Sequence, residues 1–229
     1  MSRVFKAKRR VRVGDCDVHG NLRIDAVARY LQDVGFDDTN DLGLGDGGIW
    51  VARSIEIVAI SKDNWPTRNH VVELETYCGG VGKVVAQRNV NIFNDGVKCI
   101  ETKTLWVSLD QDANLSLIPT WLKETYGNAV SVSSKRLLSG KPEGDAIKFP
   151  LRQSDLDINN HANNSLAFDA LFEASHEVGI EDFSRVYIEY HTPIDIADDT
   201  AIHILKTDSG FNAWLTTAKH VACSMVWEV

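Results

Sequence analysis

Two hydrophobic periods alternate along the first half of the chain. Apolar and polar side chains alternate over residues 4–13, which predicts a strand, and the polar turn "GDCDVHGN" follows. Apolar side chains then recur every three or four residues, which predicts an amphipathic helix ending near Gly43: Ile24, Val27, Leu31 and Val34. Four strand-like runs come next, at "IWVARSIEIVAI", "HVVELETYC", "KVVAQRNVNIF" and "VKCIETKTLWVSL", and "NDG" between the last two predicts a hairpin.

Residues 146–229 repeat this order of elements. A short run "AIKFPLR" leads into a polar turn, the helical stretch "SLAFDALFEASHEVG" and four further strand-like runs. In the repeat, "RVGDCD" lies over "RQSDLD", and "SIEI" near residue 55 lies over "YIEY" near residue 188. A repeat of this length indicates a duplicated small domain rather than a solenoid.

One helix among five strands is buried only if an antiparallel sheet curls around it. We therefore predict an α+β double hotdog, with two tandem copies of a curled antiparallel sheet around one long helix. The first copy is expected over residues 1–115 and the second over 146–229. Residues 116–145, which carry Pro, Ser and Gly with weak periodicity, are expected to form the linker.

The net charge and the lengths of the apolar runs argue against a nucleic-acid-binding protein and against a membrane protein. The formal charge of −8 argues against general nucleic-acid binding, and "KAKRRVR" is a local basic run. We interpret that run as the solvated face of a strand, with a patch for an acidic partner as the alternative. The chain has no apolar run of membrane-spanning length and no apolar signal-peptide core, so no membrane association and a cytoplasmic location are expected.

The spacing of cysteine and histidine does not favour a cofactor. The four cysteines are scattered without a C-x-x-C pair and are expected to be reduced and structural: Cys16, Cys78, Cys99 and Cys223. The histidines outside the two polar turns lack metal-ligand spacing, and no glycine-rich phosphate loop is present. We therefore expect neither a metal nor a nucleotide cofactor.

Candidate chemistry concentrates in "SDLDINNHANN", residues 154–164. Asp157, Asn159 and His161 stand at alternate positions and would point the same way on an extended backbone. The imidazole is the best general base at neutral pH, the carboxylate would fix its tautomer, and the amide would orient water or an oxyanion. The other Asp and Asn residues of the stretch are interpreted as turn and cap residues.

The first copy carries a related set in which His and Asn are exchanged. Asp17, His19 and Asn21 occupy the positions of the second set. A second site at His19 is one interpretation of this pattern. We favour the other, a structural remnant of the duplication.

The stretches "VARYLQDVG", "VVELETYC" and above all "RQSDLDINNHANN" resemble the acyl-ACP thioesterase family of plant plastids and its shorter bacterial members. The resemblance implies an acyl-[acyl-carrier-protein] hydrolase that releases free fatty acid and the carrier thiol, with acyl-CoA as an alternative substrate. It also implies that the first copy shapes the acyl pocket and that the second carries the chemistry. The family's catalytic Asp, Asn and His match Asp157, Asn159 and His161.

This sequence departs from the family pattern at one position that matters for mechanism. The family carries a Glu-Cys pair where Pro193 and Ile194 stand in "IEYHTPID". A cysteine nucleophile is therefore not expected, and histidine-activated water takes its place. Asp195 is the candidate carboxylate in the same run.

An apolar wall on the first sheet is the candidate acyl-binding surface, with ordinary core packing as the alternative: Trp50, Val51, Ile55 and Ile57. Two other functions stay open. Hotdog hydratases and dehydratases, which act on enoyl thioesters, use D-x-N-P-x-H, and a non-catalytic acyl-binding protein fits the missing Glu-Cys pair. The partner is expected to be an acyl carrier protein or coenzyme A thioester, and the sequence fits a monomer or a homodimer.

Overall fold

Each half of the chain folds as one strand, one long helix and four further strands. This computed structural model describes residues 3–43, 49–126, 132, 138, 141–158 and 160–229. The chain divides into two units, Met1–Lys135 and Arg136–Val229.

The first unit is an antiparallel sheet with the order β1-β3-β4-β5-β2. Its main elements are β1 (Val4–Arg10), α1 (Ile24–Asp41), β2 (Ile49–Ala59), β3 (Val71–Val81), β4 (Val85–Asn94) and β5 (Val97–Leu109).

The second unit has the sheet order β6-β8-β9-β10-β7, also antiparallel. Its elements are β6 (Asp145–Lys148), α3 (Leu166–Val178), β7 (Arg185–Tyr190), β8 (Thr200–Thr207), β9 (Gly210–Thr217) and β10 (Val221–Glu228). Matched by position in the repeat, the two strand orders are identical. The predicted duplication is confirmed.

The periodic apolar residues of α1 form its buried face. Ile24, Val27, Leu31 and Val34 are all buried. The helix ends at Asp41, and Gly43 has φ +65°, a left-handed conformation that glycine adopts without steric cost. Gly179 has the same role after α3, with φ +70°.

The hairpin predicted at "NDG" is also confirmed. Asp95 and Gly96 connect β4 to β5 with φ values of +49° and +79°. Two consecutive left-handed residues match the right-handed twist of the flanking strands, which is why Asp-Gly is favoured at this turn.

Part of the expected linker is a short helix that the sequence analysis missed, α2 (Thr120–Tyr126). Ile118, Leu122 and Tyr126, four residues apart, are buried in one cluster with Ala86 of β4. The Tyr126 hydroxyl also donates a 2.6 Å hydrogen bond to Oδ2 of Asp38 in α1. This part of the segment therefore packs into the first unit. None of the described helices has both the length and the apolarity needed to cross a membrane.

Candidate active site

The candidate residues lie on a tight turn that precedes α3. The amide of Asp157 donates to the carbonyl oxygen of His161 at 2.8 Å, and the amide of Asn160 donates to the carbonyl of Asp157 at 3.0 Å. The Asp157 side chain closes the turn, because its Oδ1 accepts the backbone amide of His161 at 3.2 Å. Asn160 has φ +60°, the left-handed conformation that asparagine tolerates.

This geometry corrects the expectation of an extended backbone. The chain reverses between Leu156 and Ala162, which form an isolated antiparallel bridge. Asp157 and His161 are brought together because they face each other across the turn, not because side chains alternate along a strand. Asn159 lies outside the described residues.

Backbone hydrogen bonds on both sides fix the turn in the second unit. The amide of Ala162 donates to the carbonyl of Ile194 at 3.1 Å, and the amide of Asn163 donates to the carbonyl of Asp155 at 2.8 Å. The Asp155 carboxylate in turn accepts the amide of Arg152 at 2.7 Å. Asp155 and Asn160 therefore have the turn-forming roles predicted for them.

His161 is exposed at the end of this turn, whereas Asp157 is half-buried. Among the described residues, the His161 imidazole has no hydrogen-bond partner. An exposed imidazole on a backbone fixed by hydrogen bonds, on the same turn as a carboxylate, supplies the chemical groups of a general base and a supporting acid.

Tyr190 bonds to the segment between the turn and α3, a contact that the sequence did not predict. Its hydroxyl donates a 2.7 Å hydrogen bond to the carbonyl of Asn164, at the approach to α3. Burial raises the pKa of Tyr190 well above its ordinary value, so the phenol stays protonated and remains a donor at neutral pH. The only sequence signal is an aromatic residue at the end of the "YIEY" strand.

The run that carries Pro193 and Ile194 borders the turn. Ile194 is buried, and its carbonyl is the acceptor for Ala162, the residue after His161. Asp195 follows it and is exposed, and its amide donates to Oδ2 of Asp198 at 3.0 Å in a tight turn. The candidate carboxylate thus lies one residue beyond the contact between the two segments.

The first copy builds the same backbone turn with different side-chain bonds. The amide of Asp17 donates to the carbonyl of Asn21 at 2.9 Å, and Gly20, with φ +87°, takes the left-handed position. Asn21, the counterpart of His161, donates from its side-chain nitrogen to Oδ2 of Asp17 at 3.1 Å. His19 is exposed at the tip of the turn.

A buried ion cluster follows the first turn. Asp25 is fully buried, and its two carboxylate oxygens accept Arg23 at 2.8 Å each, while Oδ2 also accepts Arg29 at 2.6 Å. Burial acts to raise the pKa of Asp25, but the two guanidinium groups outweigh it and the pKa is lowered. In the second copy Ser165 stands at the position of Asp25, and Asn163 at that of Arg23.

All four cysteines are free thiols with raised pKa values. Burial raises the pKa of Cys99 to about 11 and that of Cys223 to about 12. Burial also raises the pKa of Cys16 and Cys78, with nearby aspartates adding to the effect at Cys16. Because the thiolate is the nucleophilic form, none of these cysteines is activated for attack.

The predicted apolar wall is split between the two faces of β2. An extra residue between Ala52 and Ser54 shifts the register against β5, so the alternation of faces is interrupted there. Ile55 and Ile57 are buried, and Trp50 packs beside α2, whereas Val51 is 44% exposed. Within the described residues, no cluster of three or more His, Cys, Asp or Glu side chains has the arrangement to hold a metal ion.

Comparison with known proteins matches both halves of the chain to one family. The model of the acyl-ACP thioesterase N-terminal domain covers residues 2–117, and that of the acyl-ACP thioesterase C-terminal domain covers residues 140–225. An uncharacterized protein of Mycobacterium tuberculosis is 24% identical over 90% of this chain and 84% of its own length.

Two plant proteins extend the comparison. The chloroplastic palmitoyl-acyl carrier protein thioesterase of Arabidopsis thaliana is 26% identical over 96% of this chain and 59% of its own. The solved structure of the 12:0-ACP thioesterase from Umbellularia californica superposes with a TM-score of 0.81 at 18% identity, covering 98% of this chain and 96% of that one. These matches confirm the predicted double-hotdog fold.

Proposed function

The chain belongs to the acyl-ACP thioesterase family, and from that premise we propose that it hydrolyses a fatty acyl thioester carried by acyl carrier protein. Thioester hydrolysis follows from family membership, and the resemblance found in the sequence is confirmed. The carrier and the part taken by His161 are our proposals. The names of the plant relatives support the choice of acyl carrier protein over coenzyme A.

The observation that carries the mechanism is the turn that presents His161 beside Asp157. The imidazole accepts a proton from water as the water oxygen bonds to the thioester carbonyl carbon. The carbon–sulfur bond then breaks, and the imidazolium returns the proton to the departing thiolate. We assign to the half-buried Asp157 carboxylate the stabilisation of the imidazolium formed in this step. Asn159 is assigned the orientation of water or of the oxyanion.

Direct attack by water fits the thiols of this chain better than a covalent acyl-cysteine. The family position for cysteine holds Ile194, which is buried. The four cysteines present elsewhere have pKa values raised by burial. A nucleophile with a raised pKa is largely protonated at neutral pH.

The test is a thiol-release screen over acyl carrier protein and coenzyme A thioesters of graded chain length, from pH 5 to 8. We expect release of free thiol and fatty acid, with a rate that rises with pH because a histidine must be neutral to accept the proton. A rate independent of pH, with chemistry shown to be limiting, would count against a histidine base.

The same screen separates the two other candidate functions. Hydration of an enoyl thioester without release of thiol would identify a hydratase. Retention of the intact acyl thioester without turnover would identify an acyl-binding protein. Replacing Asp195 by Asn in the active protein would show whether that carboxylate contributes to the rate.

A further inference from the structure

Helices α1 and α3 begin at different distances from the turns that precede them. In the first copy the amide of Val27 donates to the carbonyl of Arg23, four residues earlier, at 3.0 Å, and this bond opens α1. In the second copy the corresponding carbonyl, that of Asn163, accepts the amide of Leu166 at 2.9 Å and closes a tight turn instead. When the two copies are aligned, α3 therefore begins two residues later than α1.

The late start of α3 leaves the carbonyl of Asn164 outside the helical hydrogen bonds. In an α-helix this oxygen would accept the amide of Phe168, four residues on. The Phe168 amide donates instead to the carbonyl of Ser165 at 2.9 Å, and the amide of Asp169 donates to the same oxygen at 3.2 Å. The hydroxyl of Tyr190 takes the place of that amide and donates to the carbonyl of Asn164 at 2.7 Å.

The sheet fixes the part of β7 on which Tyr190 stands. Tyr190 pairs with Cys223 of β10 in the antiparallel register. The amide of the next residue, His191, donates to the carbonyl of Ala222 at 2.8 Å, so the pairing with β10 continues past Tyr190. The hydroxyl is therefore carried by a backbone that does not depend on the turn it contacts.

Two contacts from β7 and the run after it hold the chain directly after His161. The carbonyl of Ile194 accepts the amide of Ala162 at 3.1 Å, and the Tyr190 hydroxyl binds the carbonyl of Asn164. The first contact lies one residue after His161 and the second lies three residues after it. Together they determine the path of the chain that carries the imidazole.

The first copy supports its turn from the helix instead. Ile57 stands at the position of Tyr190, is fully buried and has no side-chain donor. The hydroxyl of Tyr30 in α1 donates to Oδ2 of Asp15 at 2.7 Å, whereas Ala170 stands at the position of Tyr30 in α3. The supporting hydroxyl thus comes from the helix in the first copy and contacts a carboxylate before the turn. In the second copy it comes from the sheet and contacts the backbone after the turn.

We propose that Tyr190 is a positioning residue for His161, because its hydroxyl holds the carbonyl of Asn164 out of α3 and so fixes the backbone that presents the imidazole. This inference rests on the proposed function, in which His161 is the base. Without the hydroxyl, the carbonyl of Asn164 is available to the amide of Phe168, and α3 can extend toward the turn as α1 does. A displacement of about 1 Å at a group that takes part in the reaction is enough to slow it many-fold.

The test is Tyr190→Phe in the full chain, assayed with an acyl-ACP under conditions where chemistry limits the rate. We expect kcat to fall roughly tenfold and KM to stay within about twofold of wild type, because the imidazole is displaced and the substrate contacts are not. Thermal melts accompany the rates.

Tyr187→Phe is the matched control. It removes a hydroxyl of the same strand, which is buried and donates to Oε1 of Glu189 at 3.1 Å. We expect this variant to keep the wild-type kcat. Equal losses of kcat in the two folded variants, or no loss in Tyr190→Phe, overturn the proposal.

A double variant tests whether Tyr190 acts through His161. In the His161→Ala background, Tyr190→Phe should add no further loss of kcat, because the group that it positions is gone. A loss of the same size in both backgrounds would show that the hydroxyl acts on the substrate or on another residue, and would overturn the inference.

Nuclear magnetic resonance separates this inference from the proposed function, because it needs no turnover. The backbone amide signals of His161 and Ala162 should shift in Tyr190→Phe and stay in place in Tyr187→Phe. Unchanged signals in Tyr190→Phe overturn the proposal. If that variant does not fold, the wild type decides, since a held hydroxyl gives a slowly exchanging proton signal and a rapidly exchanging one refutes the contact. A wild type that hydrolyses no thioester refutes the enzyme, while the amide signals still decide whether Tyr190 fixes the turn.

Discussion

The turns of residues 17–21 and 157–161 share one backbone conformation but differ in the side chain at the final position. Both are closed by an aspartate that accepts the amide four residues on, and both place a left-handed residue at the fourth position. In the first turn, the final side chain, Asn21, bonds back to Asp17. In the second, the final side chain is the exposed imidazole of His161.

The two copies also differ in the side chains that hold the start of the helix after each turn. In the first copy the polar groups satisfy one another, and the ion cluster around Asp25 fixes the start of α1. In the second copy Asn163 and Ser165 stand in place of Arg23 and Asp25, and the hydroxyl of Tyr190 bonds to the carbonyl of Asn164 at the approach to α3. The backbone turn is common to both copies, whereas its fifth residue is an asparagine in the first copy and a histidine in the second.

The largest expected effect belongs to His161→Ala. We expect kcat to fall by roughly a hundredfold or more, as loss of a general base usually produces, with little change in melting temperature. His19→Ala should leave kcat unchanged, because His19 stands at the position of Asn159 in the second turn and not at that of the proposed base, His161. Greater loss from His19→Ala in a folded protein would place the active site in the first copy.

Asp25→Asn should be the most damaging change to stability. The substitution leaves two guanidinium groups beside a neutral amide, and we expect the free energy of unfolding to fall by roughly 2–4 kcal/mol. This loss is smaller than for a fully buried ion pair, because the side chains of Arg23 and Arg29 are 26% and 37% exposed and solvent screens their charges. Thermal melts measure this loss, and kcat of the folded variant should be retained.

The pH dependence of that loss follows from the lowered pKa of Asp25. A carboxylate with a folded pKa below its unfolded value stabilises the fold above the unfolded pKa of about 4, and the contribution disappears as pH falls through the folded value. The difference between wild type and Asp25→Asn should therefore be full at pH 7 and shrink in strong acid. A constant difference across that range would contradict the ion-cluster account.

The paired changes Asp157→Asn and Asp17→Asn should have opposite consequences. Asparagine at 157 keeps an oxygen for the amide of His161 but removes the negative charge that the proposed mechanism uses, so kcat should fall roughly tenfold at nearly constant melting temperature. Asparagine at 17 would place its side-chain NH2 against the side-chain NH2 of Asn21, and two donors cannot form a hydrogen bond. This change should cost about 1 kcal/mol of stability and leave the rate unchanged. Equal rate effects would erase the distinction between the copies.

The smallest expected effect comes from removing all four thiols, with serine at Cys16, Cys78 and Cys99 and alanine at Cys223. Turnover per folded molecule should be retained, because water rather than sulfur attacks the thioester. Active-site titration and melts should accompany the rates. Complete loss of hydrolysis in a folded protein would show that a cysteine takes part.

Sequence periodicity was sufficient for the regular elements of the fold. The buried face of α1 and the Asp95–Gly96 hairpin follow from local spacing and turn chemistry, which the tertiary structure reinforces. Helix α2 was not predicted because seven residues contain too few apolar positions to show a helical period. Its burial also depends on Ala86, which lies on a strand distant in the sequence.

The sequence named Asp157 and His161 as candidate residues, and their catalytic roles stay predictions. Both lie on one turn, but the expected extended backbone was wrong because the Asp157 side chain accepts the backbone amide of His161 where the chain reverses. The sequence also placed Val51 on the wrong face of β2. One extra residue in this strand reverses which side chains point to the core before and after it. Tyr190 was missed because its role depends on a partner 26 residues away.

The hydrogen bond from Tyr126 to Asp38 determines where a stable N-terminal fragment of this protein can end. The N-terminal family model stops at residue 117, yet Asp38 is fully buried and receives Tyr126 along with Arg88 and Arg3. A fragment ending at 117 would lose that donor and expose the surface that Leu122 covers. Expression of the first domain alone, or insertion of a protease site between the domains, should therefore keep the chain intact through residue 126.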